Sequence, residues 1–252
     1  MIAVRDIAAG LKAYEALLDA RAEVRESGGV ATALLATPNL VVELMAPTGA
    51  GAAADRLRAT LEEGEGLKSL VLATDDVQAL HKRAARVGLE PEEIVHAEGY
   101  RRFRAGKART HGVRLFFLER DTPIEAPKAG GVRGIDHIVI RTPDPERAAA
   151  LYGARLKLDM RLDRELNGRR LMFFRCGDAV VEVVRDPSLT QDDLWGLSWR
   201  VADAGAAHAR LAAAGCDVSE LRPGMKPGTR VFTVRNRTCG VPTLMLETMP
   251  RA

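Results

Sequence analysis

The sequence has few aromatic residues, few cysteines and no long apolar run. Phe, Trp and Tyr make up 4% of its 252 residues, so aliphatic side chains must supply most of the core. The three cysteines, Cys176, Cys216 and Cys239, form no CxxC pair, which favours a reducing, cytoplasmic compartment. No stretch approaches the roughly 18 consecutive apolar residues of a transmembrane helix. No secretory leader is visible either, and we therefore expect no membrane partner.

The charge balance is close to neutral and excludes one class of partner. The chain has 37 basic and 34 acidic residues, a net charge of +3. That balance is too even for a protein whose main partner is nucleic acid. A local basic run lies between Arg101 and Arg109. Such runs are usually solvated surface, and the alternative is a pocket rim that attracts an anionic substrate.

What the sequence does contain is an internal repeat, which divides it into two similar halves. Residues of the second half repeat those of the first at nearly constant spacing. The matched pairs are Asp6/Asp144, Tyr14/Tyr152, Glu43/Glu182, Asp76/Asp203, His81/His208, Arg83/Arg210, Gly88/Gly215, Arg102/Arg230, Arg109/Arg237 and Glu119/Glu247. A segment near Asp121–Arg133, rich in proline and glycine, suits an exposed connection between the halves.

Each half repeats again, as a strand, a helix and three strands. In the third repeat, Ile135–Arg141 reads as a strand and Glu146–Leu156 as a helix, which Asp144 caps. Pro145 then lies in the first helical turn. The fourth repeat starts at Leu197–Val201, Asp203 caps its helix and Gly215 ends it. A strand near Val218–Leu221 is expected to follow. The first half shows the same order, with an added helix at Ala52–Glu63. The pattern therefore predicts an α+β fold of four βαβββ modules.

This organisation resembles the vicinal-oxygen-chelate superfamily, the group of glyoxalases, bleomycin resistance proteins and extradiol dioxygenases. The resemblance implies two cups, each made of two paired modules, as in dihydroxybiphenyl dioxygenase-like folds. It implies an N-terminal domain over residues 1–121 and a C-terminal domain over residues 134–252. It also implies a small-molecule substrate, and the superfamily's habit of sharing cups makes a homodimer an alternative to a monomer.

In this superfamily the metal ligands come from the first and fourth strands of the modules. The resemblance therefore points to His137, Glu182 and Glu247 as ligands of Fe²⁺, Mn²⁺, Zn²⁺ or Ni²⁺, with no metal as the alternative. The position of a second histidine is Gly196, which departs from the dioxygenase pattern. The first half lacks a matching histidine, and we expect no metal there.

Other residues carry competing interpretations. Trp195 and Trp199 flank Gly196 and either wall an apolar substrate or pack in the core. Arg230 and Arg237 either orient an anionic substrate group or are ordinary surface residues. The carboxylates of Glu182 and Glu247 either bind metal and shuttle a proton or form ion pairs with arginines.

Two functions from different classes remain. The first is a glyoxalase-like lyase or isomerase, or an extradiol-type dioxygenase (an oxidoreductase), that is divalent-metal-dependent and uses enolate-type or ring-cleavage chemistry on vicinal oxygens. Glu247 and Glu182 would be its catalytic residues. The second is a metal-free binding or resistance protein that holds a small molecule in the same cup. His81 and His208, within predicted helices, are expected to have packing roles.

Overall fold

A computed structural model describes residues 1–125 and 131–248. The α+β class and the four βαβββ modules are confirmed. Part of the predicted connection at Asp121–Arg133, including Pro127 and Gly130, lies outside the described residues. Among those that are described, no helix has the length and apolar character needed to cross a membrane.

The first half contains two modules and one additional helix. Its elements are β1 (Ile2–Ala3), α1 (Ile7–Leu18), β2 (Val24–Ser27), β3 (Val30–Thr37), β4 (Leu40–Pro47), α2 (Ala52–Leu61), β5 (Gly66–Leu67), β6 (Leu70–Ala73), α3 (Val77–Arg86), β7 (Val95–Ala97), β8 (Tyr100–Arg104) and β9 (Leu115–Arg120). In each module the first strand pairs in parallel with the last, because the helix between them carries the chain back across the sheet.

The second half repeats this order. Its elements are β10 (Val132–Thr142), α4 (Pro145–Ala149), a π-helical segment (Ala150–Arg155), β11 (Asp159–Leu166), β12 (Arg169–Cys176), β13 (Ala179–Arg185), β14 (Asp193–Val201), α5 (Ala204–Ala213), β15 (Arg222–Pro223), β16 (Thr229–Val234) and β17 (Thr243–Thr248). In the fourth module β14 pairs in parallel with β17, and β17 pairs antiparallel with β16.

Aspartates begin four of the helices. Asp6, Asp76, Asp144 and Asp203 each adopt an extended backbone and accept backbone N–H bonds from the first turn. These bonds satisfy donors that would otherwise have no partner at a helix start. The caps at Asp144 and Asp203 were predicted and are confirmed.

Two elements differ from the sequence expectation. The helix expected over Glu146–Leu156 changes from α to π geometry at Ala150. The strand expected over Val218–Leu221 is reduced to a single bridge between Val218 and Val234, followed by the short β15. The bridge to Val234 is a non-local contact, which local residue preferences do not encode.

The described chain folds into two compact units. Unit 1 comprises Met1–Leu67, Glu125–Ile138 and Gly196–Ala252, and unit 2 comprises Lys68–Ile124 and Val139–Trp195. Each unit thus draws most of one module from each sequence half, with β10 and β14 divided between the units. The domain boundaries at residues 1–121 and 134–252 describe the sequence repeat and stay a prediction.

A matched arginine has the same role in both units. In unit 1, Arg210 donates to the carbonyl oxygens of Ala16 and Leu17 at the end of α1. In unit 2, Arg83 donates to the carbonyl of Arg155, at the end of the π-helical segment, at 2.7 Å. The last carbonyls of a helix have no partner within it, and a cation there also interacts favourably with the helix dipole.

We expect Arg210→Met to lower the free energy of unfolding by about 1.5 kcal/mol, because two carbonyls lose a charged donor while the stem is retained. Urea denaturation followed by circular dichroism measures the change. Arg86→Met, at the exposed end of α3, is the control and should stay within about 0.5 kcal/mol. Equal effects of the two variants would contradict the capping role.

The matched histidines also have packing roles, as expected. His81 contacts the Phe103 ring edge-on at 5.0 Å, and its Nε2 lies 2.9 Å from the Glu92 carbonyl. His208 repeats this with Phe232 at 5.1 Å and the Ser219 carbonyl at 3.0 Å. Each histidine therefore ties its helix to its sheet.

Candidate functional site

Glu247 lies on the helix-facing side of its sheet in unit 1. It follows Met245 by two residues on β17, and Met245 is opposite Phe232, which contacts His208 of α5. Strand residues two apart share a face. The Glu247 carboxylate accepts the backbone N–H of Ala204, the first residue of α5, at 2.9 Å. Because Glu247 lies on this face of the sheet, its carboxylate reaches the start of α5.

The same carboxylate also pairs with an arginine. Arg230, directly opposite on β16, donates to Oε2 of Glu247 from Nε at 3.1 Å and from Nη2 at 2.6 Å. Glu247 is only 8% exposed, and these contacts compensate for the burial of its charge. The ion-pair interpretation of this carboxylate therefore fits its geometry.

Unit 2 repeats the arrangement. Glu119 accepts the N–H of Val77, the first residue of α3, at 2.8 Å, and Arg101 donates to its other carboxylate oxygen. The strand register places Arg101 opposite Glu119. The predicted match of Arg102 with Arg230 is therefore wrong by one residue, and Arg101 is the structural counterpart of Arg230. The match at constant spacing did not allow for a one-residue shift between β8 and β9.

His137 forms a pair with its neighbour in unit 1. Its Nδ1 lies 2.9 Å from Oδ2 of Asp136. Arg200, on β14, donates to the Ile135 carbonyl from Nε at 3.1 Å and Nη2 at 2.7 Å, and its Nε lies 3.8 Å from Oδ1 of Asp136. An imidazole, a carboxylate and a guanidinium thus meet in one cluster, which we call the Asp136 cluster.

Charge controls the protonation of Asp136. Burial acts to raise the pKa of its carboxyl, but the hydrogen bond from His137 opposes burial, as do the charges of His137, Arg200 and Lys226. The net effect lowers the pKa of Asp136 below its ordinary value. A carboxylate can only accept, so Nδ1 of His137 is the donor in this bond.

Glu182 belongs to unit 2. It lies on β13 opposite Phe173 and is 8% exposed. Over residues 1–125 and 131–248, no group of three or more His, Cys, Asp and Glu side chains could hold a metal ion. The set of His137, Glu182 and Glu247 as metal ligands therefore stays a prediction.

Unit 2 also contains a buried carboxylate that the sequence did not reveal. The Asp192 side chain is 0% exposed. Its Oδ1 accepts from the Thr142 hydroxyl at 2.7 Å and from Nη2 of Arg147 at 3.1 Å. Burial raises the pKa of Asp192, although the bonds from Thr142 and Arg147 and the charges of Arg147 and His111 partly offset it. Asp192 is separated from both partners by more than forty residues in sequence, which hid the contact.

The comparison with family models decides the assignment. A model described as glyoxalase-like domain matches residues 1–157, and one described as the glyoxalase/bleomycin resistance protein/dioxygenase superfamily matches residues 134–241. The chain belongs to the glyoxalase-like domain family. It is thus a member of the vicinal-oxygen-chelate superfamily, as its repeat predicted.

Solved structures share the glyoxalase-like fold over the whole chain. A triple mutant of 4-hydroxymandelate synthase from Streptomyces coelicolor is 12% identical with a TM-score of 0.75, covering 100% of this chain and 92% of that one. BphC, a halotolerant catechol dioxygenase, is 12% identical with a TM-score of 0.67, covering 98% and 84%. At such identities the likeness establishes the fold alone. The comparison with curated proteins gave no match.

The aromatic and arginine candidates of this glyoxalase-like chain have varied surroundings. Trp199 is fully buried and neighbours Met245, which corresponds to the core-packing interpretation. Trp195, 41% exposed, lies under the guanidinium of Arg141 at 5.4 Å. Arg237 donates to the Ala214 carbonyl at 2.7 Å. Their substrate-binding roles stay predictions.

Proposed function

We propose that this glyoxalase-like protein acts on a small molecule with neighbouring oxygens, by removing a proton next to a carbonyl group. The Asp136 cluster is the observation that carries the proposal. The 2.9 Å bond between Nδ1 of His137 and Asp136 orients the imidazole. A histidine held by a carboxylate is a common general base near neutral pH.

Each member of the cluster has a chemical role in this proposal. Nε2 of His137 takes the proton, and Asp136 stabilises the imidazolium that forms. Arg200 adds a permanent positive charge 3.8 Å from Oδ1 of Asp136, which favours a substrate oxyanion. Because no described group of donors fits a metal ion, no step here passes through a cation.

The relatives suggest substrates to try. One solved neighbour is a 4-hydroxymandelate synthase, another is a catechol dioxygenase, and a third is a fusion containing 4-hydroxyphenylpyruvate dioxygenase, which is 15% identical with a TM-score of 0.69. This chain covers 49% of the fusion protein. We therefore propose aromatic 2-oxo acids as the first substrate class and catechols as the second.

We expect the protein to accelerate hydrogen–deuterium exchange at the carbon beside the carbonyl of 4-hydroxyphenylpyruvate in D₂O, as followed by proton NMR with a chelator present. His137→Gln should slow the enzymatic exchange by about 10²-fold or more, the typical contribution of a general base. Asp136→Asn should give an intermediate rate, because the amide oxygen can still accept from Nδ1 but no longer stabilises the imidazolium with a full negative charge.

His96→Gln is the matched control, because His96 is exposed on the edge strand β7, and it should leave the exchange rate unchanged. Exchange at the uncatalysed rate with wild-type protein, or equal rates for His137→Gln and His96→Gln, would reject the proposal. Added Fe²⁺ or Mn²⁺ that restores exchange only with Glu247 intact would instead favour the three-ligand site.

A binding or resistance function is the second candidate. The observation that favours it is the contact of Glu247 with Arg230 and the start of α5, which gives this carboxylate a structural role. In that case 4-hydroxyphenylpyruvate or catechol would bind measurably by calorimetry but would not be converted.

A further inference from the structure

A groove of about 710 Å³ lies in unit 1 along helix α1. One wall consists of the small residues Ala9, Gly10 and Ala13 of the helix, and the other includes Glu65 and the segment Thr233–Pro242. Its volume is within the range of small-molecule sites. The Asp136 cluster contributes no residue to it.

Unit 2 contains the counterpart of this region. Glu65 directly precedes β5, and Asp192 directly precedes β14. A Cβ atom added to Gly240 would lie 3.1 Å from the Glu65 carbonyl oxygen, and one added to Gly112 would lie 3.1 Å from that of Asp192. The two acidic residues therefore occupy equivalent places, each against the glycine before its last strand.

The helix residue that faces the acid differs between the units. Arg147 lies three residues after the cap Asp144, and its guanidinium reaches Asp192 at 3.1 Å. In unit 1 the third residue after the cap Asp6 is Ala9. The carboxylate therefore persists at Glu65, where its Oε1 accepts the backbone N–H of Arg5 at 2.6 Å, while the guanidinium that Arg147 supplies in unit 2 is missing from helix α1.

We propose that this groove is a binding site for a small molecule that carries a guanidinium group. The group would take the place that Arg147 fills in unit 2, with Glu65 as its counter-ion. The planar fork of a guanidinium matches a carboxylate with two parallel hydrogen bonds. Arg235 and Arg237 also line the groove, but Asp217 and the Ala214 carbonyl hold them away from that role.

The test is calorimetric titration of the whole chain with agmatine, compared with N-carbamoylputrescine, which has the same shape and a neutral urea in place of the guanidinium. Agmatine should bind at least about fivefold more tightly. Glu65→Gln should remove that preference, since about 1 kcal/mol from a partly exposed ion pair is fivefold in affinity.

Ala9→Arg should supply the missing guanidinium from the chain itself, abolish agmatine binding and raise the thermal midpoint. Glu63→Gln, at an exposed carboxylate two residues from Glu65, should leave agmatine binding unchanged. Equal affinity for agmatine and its neutral analogue, or undiminished binding by Ala9→Arg with a native circular dichroism spectrum, would overturn the proposal. The rate of hydrogen–deuterium exchange of 4-hydroxyphenylpyruvate should be the same in Ala9→Arg and Glu63→Gln. A failure of this proposal can therefore be distinguished from a failure of the proposed function.

Discussion

Replacing Arg147 with methionine is expected to lower the free energy of unfolding by about 3 kcal/mol, because the variant leaves Asp192 as a buried charge without its cation. Removing one partner of a buried ion pair typically costs about 3–5 kcal/mol. The low end of this range applies to the pair here. The Asp192 side chain is 0% exposed, but that of Arg147 is 35% exposed and keeps part of its contact with water. The Thr142 hydroxyl remains as a donor but carries no charge.

The loss of stability in Arg147→Met should depend on pH. The pKa of Asp192 is raised by burial, and the loss of Arg147 removes one of the contacts that offset burial. An acid whose folded-state pKa lies above its unfolded-state value makes stability fall as pH rises through that interval. The variant should therefore be most destabilised above the interval and should approach wild type at acid pH.

His111 acts in the same direction. Burial lowers the pKa of this histidine, the charge of Arg147 lowers it further, and Asp192 opposes both. A base whose pKa is lowered on folding costs stability as pH falls below its ordinary value of 6.5. Without Arg147 this cost is smaller, which again brings variant and wild type together at low pH.

Urea denaturation at pH 8 and at pH 5 measures both the loss of stability in Arg147→Met and its dependence on pH. Arg155→Met is the matched control, because Arg155 lies about two helical turns further on and acts on His111 by charge but forms no described ion pair with Asp192. It should cost less than about 1 kcal/mol. Adding Asp192→Asn should recover most of the loss in Arg147→Met. No recovery would mean that the methionine, rather than the stranded carboxylate, causes the defect.

The fold was largely predictable because its signals are local. The caps at Asp144 and Asp203 and the glycine stop at Gly215 each depend on a few neighbouring residues. The internal repeat then supplied independent copies of each signal. The matched His81 and His208 even indicated a shared packing role, which both ring contacts confirm.

The candidate site was less predictable because its contacts are distant in sequence. The buried charge of a glutamate between apolar strand residues must be compensated by a partner. The sequence does not show on which face of the sheet that partner lies. For Glu247 the partners are Arg230 and the start of α5. Asp136 was missed beside His137, because adjacent strand residues normally point to opposite faces. Their 2.9 Å bond requires side chains that bend toward each other.

The role of Glu247 leads to the second large effect. Glu247→Leu is expected to cost about 2–3 kcal/mol, because the N–H of Ala204 loses its acceptor and Arg230 loses its counter-ion. The Arg230 side chain is 38% exposed and can be rehydrated, which limits the loss. Chemical denaturation in the presence of a chelator measures it, and Glu119→Leu, the counterpart in unit 2, should give a similar value.

A double-mutant cycle separates the structural role from the metal role. If the pair with Arg230 dominates, Arg230→Met combined with Glu247→Leu should be more stable than the sum of the single effects by about 1 kcal/mol or more. If Glu247 instead serves a cation, added Mn²⁺ or Zn²⁺ should raise the thermal midpoint of wild type and not of Glu247→Leu, and the cycle should show no coupling. The bond lengths from Arg230 to Oε2 of Glu247, 2.6 and 3.1 Å, favour the first outcome, because charge-assisted hydrogen bonds are roughly twice as strong as neutral ones.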